Sequence, residues 1–110
     1  MASSAFVDLG TVSVSGTTTG SAVVLEPHMT NFVGYLDVSA LGAGTTCTVT
    51  IQHSPDGTNW FTLGAFTGAA ATGKQIIQIT ANVLGHVRTT STCAAGTTTA
   101  TISCKLYYQG

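Results

Sequence analysis

At 110 residues the chain suits one domain and is too short for two independent cores. Apolar residues make up an ordinary 44%, but charged residues only 6%, against about 25% in a typical soluble domain. Three bases, four acids and a net charge of -1 give no electrostatic footprint for nucleic acid or an anionic membrane surface. Gly and Thr interrupt every hydrophobic run well short of the ~20 apolar residues that a spanning helix needs.

Taken in chain order, the residues predict eight strands and no helix, because β-branched residues dominate and Gly-rich breaks recur at short intervals. Met1 to Ala5 has neither the basic segment nor the apolar core of a secretory signal. This predicts cytoplasmic synthesis, with residues 1–4 as an N-terminal arm on a single domain spanning 1–110. The first strand runs over 5–15 with Phe6 facing the core, and Thr17 to Gly20 reads as a surface loop. Strands over 21–26 and 32–39 follow, contributing Val23, Leu25, Leu36 and Val38.

The fourth strand, 46–53, alternates cleanly. Cys47, Val49 and Ile51 share one face, and Thr46, Thr48, Thr50 and Gln52 share the other. Pro55-Asp56-Gly57 then makes a tight turn. Pro55 presets φ, Asp56 tolerates the second central position and Gly57 accepts positive φ. The fifth strand, 59–66, opens on Trp60, whose ring is expected to cap the core, and carries Leu63.

Strands over 74–80 and 84–92 supply Ile77, Ile79 and Val87, with Arg88 placed to pair with an acid. In the last strand, 98–109, Ala100, Ile102, Cys104, Leu106 and Tyr108 lie opposite Thr99, Thr101, Ser103 and Lys105. One apolar and one polar face per strand predicts an all-β, antiparallel sandwich.

No constellation of reactive groups emerges. Cys47, Cys93 and Cys104 are odd in number and lack zinc-ligand spacing, and Cys47 and Cys104 fall on core faces. Cys93, beside a Gly-rich loop, is the candidate for an intersubunit disulfide. His28, His53 and His86 are scattered, the acids form no dyad, and Ser54 lacks a nucleophile-elbow context. Gly42-Ala43-Gly44 precedes a strand and not a helix, so it is no phosphate cradle. No catalytic residue, metal ligand or cofactor is expected.

The set Gln52-x-Ser54-x-Asp56-Gly57-x-x-Trp60, followed by Leu84-Gly85-His86-Val87-Arg88 and the strand from Thr101 to Tyr108, resembles two groups of modules. One is the β-sandwich proteins of tailed-phage virions, of the decoration or cement type. The other is the discoidin-like or galactose-binding-like jelly rolls. The resemblance covers about residues 32–109 and implies a jelly-roll-like sandwich with the hairpin Ser54, Pro55, Asp56, Gly57 and Trp60 as a structural unit. In the discoidin-like strand an aromatic-Val pair stands where this chain has His86-Val87.

The virion resemblance implies a non-enzymatic structural protein that adheres to a major capsid protein or other virion subunits, with a tail or neck component as a variant. The uncharged surface points the same way, to a homo-oligomer, a trimer being one cyclic option. The discoidin-like resemblance implies instead a glycan-binding module in which Trp60, Tyr35 or Tyr108 stacks on a sugar.

Overall fold

The computed structural model describes residues 4–20, 22–24, 32–80, 84–94, 96 and 99–109, with residues 4–6, 108 and 109 described by their backbone alone. Nine strands lie among them: β1 (Ser4–Ser15), β2 (Thr17–Thr19), β3 (Val23–Val24), β4 (Phe32–Leu41), β5 (Thr46–Ser54), β6 (Phe61–Ala65), β7 (Gly73–Ile79), β8 (His86–Ala94) and β9 (Thr99–Gln109). They form two antiparallel sheets. The first has the order β1-β9-β4-β7 and the second β2-β8-β5-β6, with β3 also on β8. Because β2 and β3 share a partner, they occupy one position in the second sheet. The first strand then pairs with the last and the second with the one before it, which is the nested order of a jelly roll.

Strand ends follow the sequence reading to within two residues, and three of the differences bear on the site. Thr17 to Thr19, expected in a loop, extends the β1 segment past Gly16 into the second sheet and pairs with Thr92, Ser91 and Thr90. Gly16 (φ +67°) makes the change of sheet possible in one residue. The seventh expected strand runs two residues further, to Ala94. The strand after the hairpin begins at Phe61, leaving Trp60 outside it.

The core lies between the sheets, as one-sided alternation requires. Leu36, Val38, Cys47, Val49, Ile51, Ile79, Val87, Ala100, Ile102, Cys104 and Leu106 are buried there as expected, and Val23, Leu63 and Ile77 are partly buried against them. Phe6, Leu25 and Tyr108 were also assigned to the core, but their side chains lie outside the described residues. Phe32, Phe66, Leu9 and Val14 join the core as well. Trp60 does not. It is half-buried outside the apolar cluster, a correction explained below by its contact with Arg88.

Gly34 holds the centre of β4 open. A methyl group there would sit 3.0 Å from Ile77, 3.1 Å from Ile51 and 3.3 Å from Phe66, so the missing side chain is the space these three fill.

Candidate functional site

The hairpin joining β5 to β6 is built around Ser54, which is fully buried. Its hydroxyl donates to Asp56 Oδ1 (3.0 Å) and accepts from the backbone N–H groups of Asp56 (3.2 Å) and Gly57 (2.8 Å). Asp56 Oδ1 also accepts from the N–H groups of Thr58 (2.8 Å) and Asn59 (2.9 Å), while Oδ2 accepts from Asn59 Nδ2 (2.9 Å). Gly57 takes φ +78°, as the turn requires. These bonds, led by those from the Asn59 and Thr58 backbone, hold the Asp56 carboxyl well below the usual carboxylate range.

Beyond the turn, the Arg88 guanidinium lies 4.1 Å from the centroid of the Trp60 ring, and its Nε donates to Gln52 Oε1 (2.9 Å). The same oxygen accepts from Thr90 Oγ1 (2.9 Å). Arg88, expected to seek a carboxylate, is thus held by an aromatic face and an amide. Ser54, Asp56 and Gly57 thus bond to one another within the turn, while Gln52, Trp60 and Arg88 meet across β5 and β8 beside it. They form a brace for this end of the sandwich.

His53 stands next to this network, and Leu84 N–H donates to its Nδ1 (3.2 Å). That bond needs the neutral ring, and burial lowers the His53 pKa from its usual 6.5. A base with a lowered folded pKa adds stability that is present above the unfolded pKa and lost as pH falls through the folded one. The same sign holds for Asp56, whose usual value is 3.8. The urea midpoint is therefore expected to stay level above neutrality, fall as pH drops below 6.5, and fall again below 3.8. His53→Asn should remove the first fall and leave the second. A midpoint unchanged from neutral to strongly acid pH would contradict both assignments.

The two outer faces differ in charge: the first sheet carries both signs, whereas the strands of the second present Arg88, two residues from Thr90 on β8. On the first sheet, Asp8, Asp37, Lys74 and Lys105 account for four of the chain's seven charges, with Lys74 Nζ 3.7 Å from Asp37 Oδ1. Tyr35 and Tyr107 meet edge to face on this side, with ring centroids 6.2 Å apart, and Ile76 beside Tyr35 is 70% exposed. On the second sheet, Thr17, Thr92 and Thr48 align in one row across β2, β8 and β5, and Thr19, Thr90 and Thr50 in the next. Neighbouring strands stand about 4.8 Å apart, and residues two apart along a strand about 6.7 Å. The result is a grid of six threonines with no charge within it.

The remaining predicted residues fall in different places. Trp60 belongs to the hairpin beside the second sheet and Tyr35 to β4 in the first, so they form no shared platform. Tyr108 is placed only through its backbone pairing with Ala5 on β1. Cys93, expected beside a surface loop for an intersubunit bond, points into the sandwich, 5% exposed and opposite Cys47. The extension of β8 through Ala94 is what turns it inward.

Among the described residues no three His, Cys, Asp or Glu side chains gather as a metal site. A cleft of about 390 Å³ at the far end of the sandwich is lined by small and apolar residues such as Ser13, Ala40, Leu41 and Thr101 and holds no titratable side chain.

Sequence reasoning missed the threonine grid because it placed Thr17 to Thr19 in a loop. The available signal was alternate Thr in three separate segments: Thr17 and Thr19, Thr46 to Thr50, and Thr90 and Thr92. No protein-family model matches the chain, and no curated protein matches it.

Proposed function

We propose that this jelly roll is a non-enzymatic structural subunit that works by adhesion through the threonine face of its second sheet. The particular role is that of a decoration or cement protein on a phage capsid. The observation that carries this reading is the unequal division of charge between the two outer faces. A face meant for water ordinarily carries charged residues of both signs, as the first sheet does.

The six threonines present hydroxyls and methyls, and Arg88 stands at their border on the same outer face of β8, held by Gln52 and Trp60. Burying the six threonines themselves desolvates no ion. Thr90 donates to Gln52 within the sheet, while hydroxyl valences left to solvent can exchange a water for an acceptor or donor on the partner, and the methyls add apolar contact. A regular patch of threonines without charge suits sister copies and the shell beneath them. The hairpin resemblance to virion modules supports the phage setting. The glycan-binding alternative has less support at Trp60, because Arg88 already covers one face of that ring.

The test is co-sedimentation of the chain with DNA-free heads of the phage that encodes it. The wild-type chain is expected to pellet with the heads. Thr48→Lys combined with Thr92→Glu puts two opposite charges directly across from each other, so they pair and the fold is retained. This variant should remain in the supernatant, whereas Thr101→Lys on the first sheet should still pellet. A wild-type chain that does not bind, or a charged-grid variant that binds equally well, would overturn the proposal.

A further inference from the structure

We propose that Cys47 and Cys93 are a redox pair that closes into an intramolecular, cross-strand disulfide between β5 and β8. The two residues face each other directly in the antiparallel register, both are buried, and both are free thiols in this structure.

The backbone shows which kind of pair they are. Cys47 spends both its N–H and its C=O on Ala69, at 2.8 Å each, and Cys93 N–H donates to Gly16 O at 2.7 Å. Their main-chain bonds thus point away from each other, which defines the non-hydrogen-bonded type of cross-strand pair. In that type the Cα atoms stand about 4.5 Å apart and the side chains are at their closest. A disulfide spans Cα separations of about 4.4–6.8 Å, so this pair can be bridged without moving a strand.

The side chains are in contact in the reduced state. Burial first, and then the neighbouring Cys93 thiol, favour the protonated form of Cys47 and push its thiol up to about 12. Cys104 lies on β9 in the facing sheet, with Gly10 and Leu36 as its register partners, so neither Cys47 nor Cys93 is its cross-strand neighbour.

The oxidant is a small disulfide. One protein thiolate attacks it and releases a small thiolate, leaving a mixed disulfide. The second protein thiolate then attacks the protein sulfur and releases the other small thiolate. The two thiol protons pass to the leaving groups, so two protein thiols are oxidised as one small disulfide becomes two thiols. Burial makes the exchange slow in the folded chain, because thiolate must form and be reached.

The experiment uses the full reduced chain with oxidised glutathione, taken to equilibrium in urea below the unfolding transition. The sample is then acid-quenched, unfolded and alkylated. The expected product is a monomer that takes up a single alkyl group, on Cys104, with a Cys47–Cys93 link in the peptide map. It should return to three alkylated cysteines after mild dithiol treatment. Three alkyl groups without reductant, stable glutathione adducts, or a dimer joined through Cys93 would each overturn the proposal. None of these outcomes depends on whether the chain binds phage heads.

Discussion

Replacing Gly96 by Ala is expected to destabilise the fold by at least about 2 kcal/mol, although it adds one carbon at an exposed position. Gly96 has φ +56°, in the left-handed region, where any residue with a Cβ carries a penalty of about 1–2 kcal/mol. The added carbon would also collide with the carbonyl oxygen of Ala43 and lie 2.5 Å from the Gly44 carbonyl carbon and 2.7 Å from Thr45 N. These are backbone atoms, so no rotamer change relieves the overlap. Thr45 is buried and its N–H is bonded to Gly42 O, which ties the obstructed loop to the start of β5.

Urea unfolding of Gly96→Ala beside Gly10→Ala isolates the effect. Gly10 also has positive φ, +96°, but a methyl group there meets nothing within 4 Å. The Gly96 variant should unfold at clearly lower urea than the Gly10 variant. Equal midpoints would mean that the loop yields without cost.

Phe32→Ala should cost about 3–5 kcal/mol, the range for emptying the site of a large core aromatic. Phe32 is fully buried at the start of β4, where its backbone pairs with Ile79 on β7. The cavity would open at the edge where β7 closes the first sheet, and one strand can collapse only partly to fill it. Against a total stability of about 5–15 kcal/mol, such a loss is a large fraction. Phe61→Ala is the control, because Phe61 is 57% exposed on β6 and its removal should shift the midpoint little. Similar losses from the two variants would contradict the placement of the core.

Phe32 also shows where reading the sequence stops. The inward series of β4 is Phe32, Gly34, Leu36 and Val38, and the glycine breaks the apolar run just where it begins. Val33 and Tyr35 make the other face look equally apolar, so alternation alone does not choose between them. In β5 and β9 no such conflict exists, and there the pattern of residues already named the buried face. The turn at Pro55-Asp56-Gly57 was legible for a similar reason, since its chemistry is local.

What is not local was not legible. Nothing in the sequence says that Trp60 meets Arg88, that Cys47 meets Cys93, or that three threonine segments align. Each depends on which strand lies beside which, and in what register. The Trp60 error has the same origin. A lone Trp after a turn reads as a core cap until β8 brings a guanidinium over its ring. For the candidate surface, the lack of charge was visible in composition, but its concentration on one face came only with the sheet order.

On the proposed function, the threonine face is covered by another subunit. Sedimentation velocity of the purified full chain across a concentration series tests it most directly, with the Thr48→Lys, Thr92→Glu variant alongside. A discrete homo-oligomer that the variant converts to monomer is the predicted result. A wild-type chain that remains monomeric at the highest concentration, or a variant that assembles as well as the wild type, would contradict it.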